Sequence, residues 1–383
     1  MNDECPRCRE YADRGSMFCG ACGRRIVSNE CPECEKYAAG GYSFCGVCGR
    51  ALGGAERGAY PSGAEYKPVP ERPRPGILES ILLVVCMAVI VLAVFEAITL
   101  LVNFPGVSSF LLDKYVNFFL LVPYPHTVFS LDGIALQIYW VFVGMVILLC
   151  LITAIHKFAV KIKAAGRIDD ADAVEDTAFF WVGVFLSASI FISFIVSLIV
   201  LLSGSDLNTP DFGNMFEQMF SLADAGVWEE IVARVVYIGV PMVLISLVVT
   251  KKKESVMCLF GGFGMSRTAV ALIIISGMIF GMAHYPGWEN QLWKVVTAGI
   301  MGVFLGYLFV RFGLYASILL HFVNDYLSSF DWMGVGGFLG VVSLLLLAAG
   351  IAASIYILKR LLGSGKSFMS LSLFRNGYIK GGS

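Results

Sequence analysis

Charge is scarce in this chain. Asp, Glu, Lys and Arg make up only 15% of 383 residues, against 57% hydrophobic residues and a mean hydropathy of +0.76, too little to wet the surface of a soluble protein. The formal net charge of −1 contains no basic tract of the kind nucleic acid requires, so no nucleic-acid partner is expected. The first 75 or so residues lack any apolar run able to cross a membrane, and the N-terminus lacks the charged and apolar regions of a secretory leader. Residues 1–50 are therefore expected to stay attached. Histidine is limited to four residues, which makes each one informative.

Cysteine, by contrast, is concentrated. Of eleven, eight form CxxC pairs at Cys5/Cys8, Cys19/Cys22, Cys31/Cys34 and Cys45/Cys48, while Cys86, Cys150 and Cys258 stand alone in apolar surroundings and read as small buried residues. The second two pairs repeat the first two at an offset of 26, with CPRC answering CPEC and FCGACGR answering FCGVCGR, the mark of a duplicated module. A CxxC turn directs two thiolates at one centre, and two such turns complete a tetrahedral four-sulfur zinc site. Each repeat is too short to fold by apolar burial, so metal binding, worth on the order of 10 kcal/mol per structural site, supplies the missing free energy. The expected head is a double zinc ribbon over residues 1–50 holding two structural zinc ions. A closed four-thiolate site leaves no position for a reactant, so its expected role is docking or regulation. Four disulfides are the alternative, and they need an oxidising compartment. Residues 51–76, ending in YPSGAEYKPVPERPRPG, cannot form a core and read as an extended linker.

From Leu78 to Arg360 apolar runs recur, each near the 20 residues that a helix needs to cross a bilayer. They predict an all-α polytopic membrane protein of about eight helices, over 78–103, 134–158, 177–203, 227–250, 268–286, 293–311, 314–330 and 336–359. The stretch 107–123, shorter and carrying Asp113 and Lys114, reads as interfacial or re-entrant. Lys157, Lys161, Lys163 and Arg167, then Lys251 to Lys253 and Arg267, then Arg311, then Lys359 and Arg360 mark alternate loops, and Asp206, Asp211, Glu217, Asp224 and Asp331 mark the opposite ones. The positive-inside rule then places both termini and the tail 362–383 in the cytoplasm, a reducing compartment that favours zinc over disulfides. Trp228, Trp288, Trp293 and Trp332, near span ends, read as an interfacial aromatic belt.

Ionisable groups inside spans are expensive and mark functional candidates. Glu229, Glu230 and Arg234 open span four, His284 ends span five, and His321 and Asp325 sit in span seven. Residues four apart share a helix face, so Glu230 with Arg234, Phe280 with His284, and His321 with Asp325 give each of three helices one polar stripe. Asn324 is expected about 100° away from Asp325. His126, in a loop, and His156, at a basic helix end, read as interfacial, and Glu96, alone in span one, as a helix-contact residue.

WEEIVAR at 228–234, FGMAH at 280–284 and HFVND at 321–325 follow the order and spacing of the EExxxR, FxxxH and HxxxN/D motifs. On these the chain resembles the CPBP family (CAAX protease and bacteriocin-processing, or Abi) of glutamate-dependent intramembrane proteases, over about Ile134–Leu361, within a membrane domain spanning 77–361. The resemblance implies an endopeptidase acting on a membrane-associated or lipid-anchored protein or peptide. It implies Glu229 as the general base that activates water, His284 as a group that holds or polarises that water, and His321 with Asp325 facing the oxyanion. Glu230 and Arg234 would brace the helix. Asp325 replaces the Asn of the eukaryotic-type members, so it must be protonated or orient His321, since a carboxylate cannot donate to an oxyanion. No catalytic cofactor is favoured. HExxH is absent, yet two His and two carboxylates leave a catalytic zinc open as a second reading. A non-catalytic scaffold or immunity protein, with ribbons that bind a cytoplasmic protein partner, is the competing class. A transporter ranks last, because the body shows no inverted repeat. The inferred orientation puts Glu229 and His284 at extracytoplasmic helix ends, whereas CAAX processing needs access from the cytoplasm.

Overall fold

The computed structural model divides into two compact units, Met1–Pro73 and Arg74–Ser383. It describes residues 36, 39, 76–121, 125–167, 169–207, 212–251, 253–330, 336–363 and 372–373. The eight paired cysteines, the linker up to residue 75 and most of the tail lie outside the described residues.

The larger unit is built of long apolar helices. α1 (Ile77–Leu111) leads into a hairpin of β1 (Tyr115–Leu121) and β2 (Pro125–Asp132), followed by α2 (Gly133–Ala165), a one-turn α3 (Ala171–Glu175) and α4 (Ala178–Leu202). α5 (Met215–Thr250), α6 (Arg267–Gly287), α7 (Leu292–Arg311), α8 (Leu314–Tyr326) and α9 (Gly336–Gly363) complete it. Side-chain caps fix several starts: Thr177 accepts from the Phe180 amide, Asn214 from those of Phe216 and Glu217, and Ser266 from that of Ala269. α2 stops at Gly166, whose φ of 74° allows the left-handed turn that closes the helix.

Among the described residues seven helices, α1, α2, α4, α5, α6, α7 and α9, are long and apolar enough to cross a membrane, so the chain is built as an integral membrane protein. The seventh expected span, 314–330, is instead the 13-residue α8 and a 3₁₀ turn over Leu327–Phe330. At 1.5 Å per residue α8 rises about 20 Å, short of the ~30 Å hydrocarbon core. Its residues from Ala316 to Val323 are all buried, so it is enclosed by other helices rather than facing lipid. Arg311 at the end of α7 lies 3.5 Å from Asp176, and Arg360 near the end of α9 pairs with Glu175, so α7 and α9 finish at the same end of the bundle. α8, which starts at Leu314 just past the end of α7, therefore leads back from that end.

The hairpin is the main departure from the expected all-helical body. α1 extends to Leu111, absorbing the start of the stretch read as interfacial, and the remainder pairs antiparallel from Tyr115↔Asp132. Its signal is present in the sequence: aromatic and β-branched runs, YVNFFLL and PHTVFSLD, follow one another with a proline between them. Phe118 stacks on Phe129 at 4.7 Å and meets Trp228 edge-on at 5.2 Å, which fixes the hairpin against α5.

Two close helix contacts set the site. A Cβ on Gly226 would stand 3.3 Å from the Phe322 backbone, so glycine lets α5 approach α8 just before Glu229. A Cβ on Gly281 would lie 2.5 Å from the Val295 carbonyl oxygen, so the glycine inside FGMAH seats α6 directly on α7.

Candidate active site

Span four was expected to open near 227, with Glu229 at its end. α5 in fact begins at Met215, and Glu229 falls near the middle of a 36-residue helix. Asp224 and Glu217, read as loop residues, are part of α5, and Tyr139 of α2 donates a hydrogen bond to Asp224. Immediately after Glu230 the helix widens to π geometry over Ile231–Gly239. Pro241 gives the cause: it has no N–H to donate, and its ring would press on the carbonyl four residues back, so the preceding turn expands. The expansion re-aims the carboxylates of the EE pair relative to the rest of α5.

Glu230 and Arg234 are fully buried and joined at 3.1 Å. Arg234 also donates to Ser276 Oγ on α6 at 2.8 Å, Ser276 donates to the Ala233 carbonyl, and the guanidinium lies 5.1 Å from the centroid of the Phe280 ring. One buried cation thus ties α5 to α6.

His321 is held on both sides. Its Nδ1 is 3.0 Å from Glu230 Oε1 and its Nε2 is 3.2 Å from Asp325 Oδ2. Its Nε2 also lies 3.8 Å from Glu229 Oε2. On α6, His284 Nδ1 is 2.8 Å from the Phe280 carbonyl, which can only accept, so Nδ1 carries a proton and Nε2 points out at 4.0 Å from Glu229 Oε2. Glu229 Oε2 is buried, has no hydrogen-bond partner among the described residues, and sits between the two imidazoles. The three polar stripes from three helices therefore converge on one point. Among the described residues no three His, Cys, Asp or Glu side chains are disposed as a metal-ligand set.

Two cavities flank this point. The larger, about 310 Å³, lies between the hairpin and α5 and has Tyr115, Asn117, Phe119, Asp224, Trp228 and Glu229 in its wall. Trp228 belongs to this site, because its indole N–H donates to the Phe119 carbonyl at 3.1 Å. The smaller, about 70 Å³, is lined by His284, Lys294, His321, Asn324, Asp325 and Ser189 among others. Asn324 does not point away from Asp325 as the ideal helix angle suggested: its side-chain amide donates to Asp325 Oδ1 at 2.8 Å and its carbonyl accepts from Ser189 at 3.3 Å. Adjacent residues can meet in this way because both side chains bend toward the same opening.

Other residues singled out in the sequence lie elsewhere. His126 and His156 are exposed, Trp288 and Trp293 pack edge-to-face at 5.6 Å, and Cys86, Cys150 and Cys258 are buried free thiols. Glu96 is fully buried on α1, with neither carboxyl oxygen hydrogen-bonded among the described residues. Trp332 and Asp331 lie outside the described residues. Lys294 was missed, although the rule that picked out the histidines, an ionisable group within an apolar run, applies to it equally.

Comparison with known proteins finds a family match for each part of the chain. Residues 211–327 match the family described as type II CAAX prenyl endopeptidase Rce1-like, a stretch that includes Glu229, His284, His321 and Asp325 and is narrower than the resemblance drawn from the motifs. Residues 5–49 match the double zinc ribbon family. No curated protein and no solved structure matches the chain. The chain thus carries a CPBP-type, Rce1-like CAAX prenyl endopeptidase domain in its membrane body, behind an N-terminal double zinc ribbon.

Proposed function

We propose that this chain is an intramembrane endopeptidase that hydrolyses a peptide bond in a membrane-associated or lipid-anchored substrate by glutamate-activated water. The observation that carries the reading is Glu229 Oε2, unpartnered among the described residues, 3.8 and 4.0 Å from two imidazole nitrogens, in the wall of a cavity of about 310 Å³. Gaps of that length suit a bridging water better than a direct bond. A water bound by Glu229 and His284 Nε2 gives one proton to Glu229 as its oxygen attacks the scissile carbonyl carbon. The tetrahedral intermediate then collapses, the C–N bond breaks, and the proton on Glu229 passes to the leaving nitrogen, giving a carboxylic acid and an amine.

The remaining residues position rather than react. Glu230 and Arg234 fix the α5–α6 contact, and Asp325 takes the second of its two expected roles, orienting His321 through Nε2. The large cavity receives the substrate chain alongside the hairpin. The basic helix ends, with Lys161, Arg311 and Arg360, are cytoplasmic by the positive-inside rule, and Glu229 shares its cavity with the hairpin, which joins α1 to the opposite end of α2 from Lys161. In this orientation substrate enters from the extracytoplasmic side.

In the head, the donor set of eight thiolates in two CxxC-x10-CxxC repeats fits two four-coordinate zinc ions, Cys5, Cys8, Cys19 and Cys22 holding one and Cys31, Cys34, Cys45 and Cys48 the other. Such ions supply folding free energy, and the ribbons serve to bind a cytoplasmic protein partner.

The test is cleavage of lipid-anchored reporter peptides by the full-length chain in liposomes. Glu229→Gln should lower the rate about 100- to 10,000-fold, the range of a lost general base, while chelator-treated protein stays active. Loss under both treatments would move the chemistry to a metal. Absence of cleavage by folded wild-type protein would favour a scaffold.

A further inference from the structure

The reading above leaves one demand of the chemistry unmet. Negative charge develops on the carbonyl oxygen as water attacks, and a donor aimed at it is usually the largest single contribution to rate. His321 cannot serve freely, because both of its ring nitrogens face carboxylate oxygens, at 3.0 and 3.2 Å. Asp325 as a carboxylate has no proton to donate. His284 spends Nδ1 on the Phe280 carbonyl and turns Nε2 to Glu229.

Lys294 is the remaining cation at this place. It lies in the first turn of α7 and lines the small cavity with His284, His321, Asn324 and Asp325. No hydrogen bond or ion pair ties its ammonium down among the described residues. Its contact is with the face of Trp288, 3.8 Å from the ring centroid. Apart from that contact, the helix disfavours a lysine here. A cation in the first turn of a helix opposes the helix dipole, and an ammonium in an apolar span is costly. A cation–π contact holds the ammonium in place while leaving its N–H groups free to donate.

We propose that Lys294 is a catalytic residue that donates a hydrogen bond from Nζ to the oxyanion of the tetrahedral intermediate, replacing the neutral donor that Asp325 cannot be. The inference rests on Glu229 as general base. As the water oxygen bonds to carbon, the C=O π electrons move to oxygen and meet the ammonium; no proton transfers, and the electrons return when the C–N bond breaks. Trp288 is the positioning residue that keeps Nζ at the cavity.

The experiment measures kcat and KM for a reporter peptide with full-length Lys294→Gln and Lys294→Arg in liposomes, beside wild type and Glu229→Gln. Lys294→Gln should lose about 100- to 1000-fold in kcat with KM changed by less than about twofold, the signature of a lost oxyanion donor, and Lys294→Arg should fall between it and wild type. If Lys294→Gln fails to fold, Lys294→Met, which fills the same space without a charge, takes its place with the same expectations. A kcat within about threefold of wild type overturns the proposal. So does a loss confined to KM, which would make Lys294 an anchor for a substrate carboxylate. Cleavage that depends on Glu229 but not on Lys294 overturns this inference alone, whereas cleavage indifferent to Glu229, or absent in wild type, overturns the reading beneath it as well.

Discussion

Removing the guanidinium of Arg234 is the sharpest test of how this body is held together. Arg234 and Glu230 are both fully buried, and Arg234 makes three hydrogen bonds: to Glu230 Oε2 at 3.1 Å, to Glu230 Oε1 at 3.4 Å and to Ser276 at 2.8 Å. Arg234→Met leaves a buried carboxylate whose remaining side-chain partner is the His321 imidazole, 3.0 Å away. Breaking such a pair from one side is expected to destabilise by about 3–5 kcal/mol, because the surviving charge has no water to turn to. Glu230→Gln leaves the complementary orphan and should be similarly damaging. In the double variant both charges are gone, so its loss should fall short of the summed single losses by about 2 kcal/mol or more. Equilibrium unfolding in mixed micelles, followed by tryptophan fluorescence, measures all four corners of the cycle. Single losses below about 1 kcal/mol, or additivity within about 0.5 kcal/mol, would refute the account of a desolvated, mutually dependent pair.

Further outcomes concern the ends of the molecule. Burial pushes the Asp176 carboxyl up, but the Lys161 ammonium and the Arg311 guanidinium outweigh it and hold the group below its usual value. A depressed carboxylate contributes stability that is present above the unfolded pKa of about 3.9 and lost as pH falls through the folded value. Asp176→Asn should therefore flatten the loss of thermal stability on acidification below about pH 5, by less than about 1 kcal/mol because the pair is half-exposed. Metal analysis of the purified chain should give two zinc per molecule, falling to one in Cys45→Ser; a value unchanged by that substitution would contradict the assignment of Cys45 to one of the two sites. A reporter fused after Lys253 should report cytoplasm, and an extracytoplasmic signal would invert the orientation argued from the basic helix ends.

Much of this protein was legible in one dimension because membranes simplify the code. A hydrocarbon core admits backbone only where its polar groups are satisfied internally, so long apolar runs become helices whatever their neighbours, and most of the expected spans reappear with shifted ends. The three motifs were legible for a related reason: Glu229, His284, His321 and Asp325 stand out against apolar surroundings, and four-residue spacing is enough to put Glu230 beside Arg234. The CxxC repeats likewise announce their donor set without any fold.

Contacts between elements were decided elsewhere. Whether 314–330 faces lipid or is enclosed depends on what packs around it, and hydropathy alone cannot tell a buried helix from a spanning one. The hairpin was hidden because its strands satisfy their backbone groups through each other, a pairing that no periodicity within either strand records. The π turn after Glu230 follows from Pro241, eleven residues beyond that glutamate, whose effect is felt only once the helix is continuous. Lys294 and Asn324 join the site because Gly281 lets α6 meet α7 and because two adjacent side chains bend into one opening. The sequence by itself determined which chemical groups this membrane body contains and which helices carry them; tertiary structure alone decided which oxygen of Glu229 faces two imidazoles, since that depends on close approaches measured in tenths of an ångström.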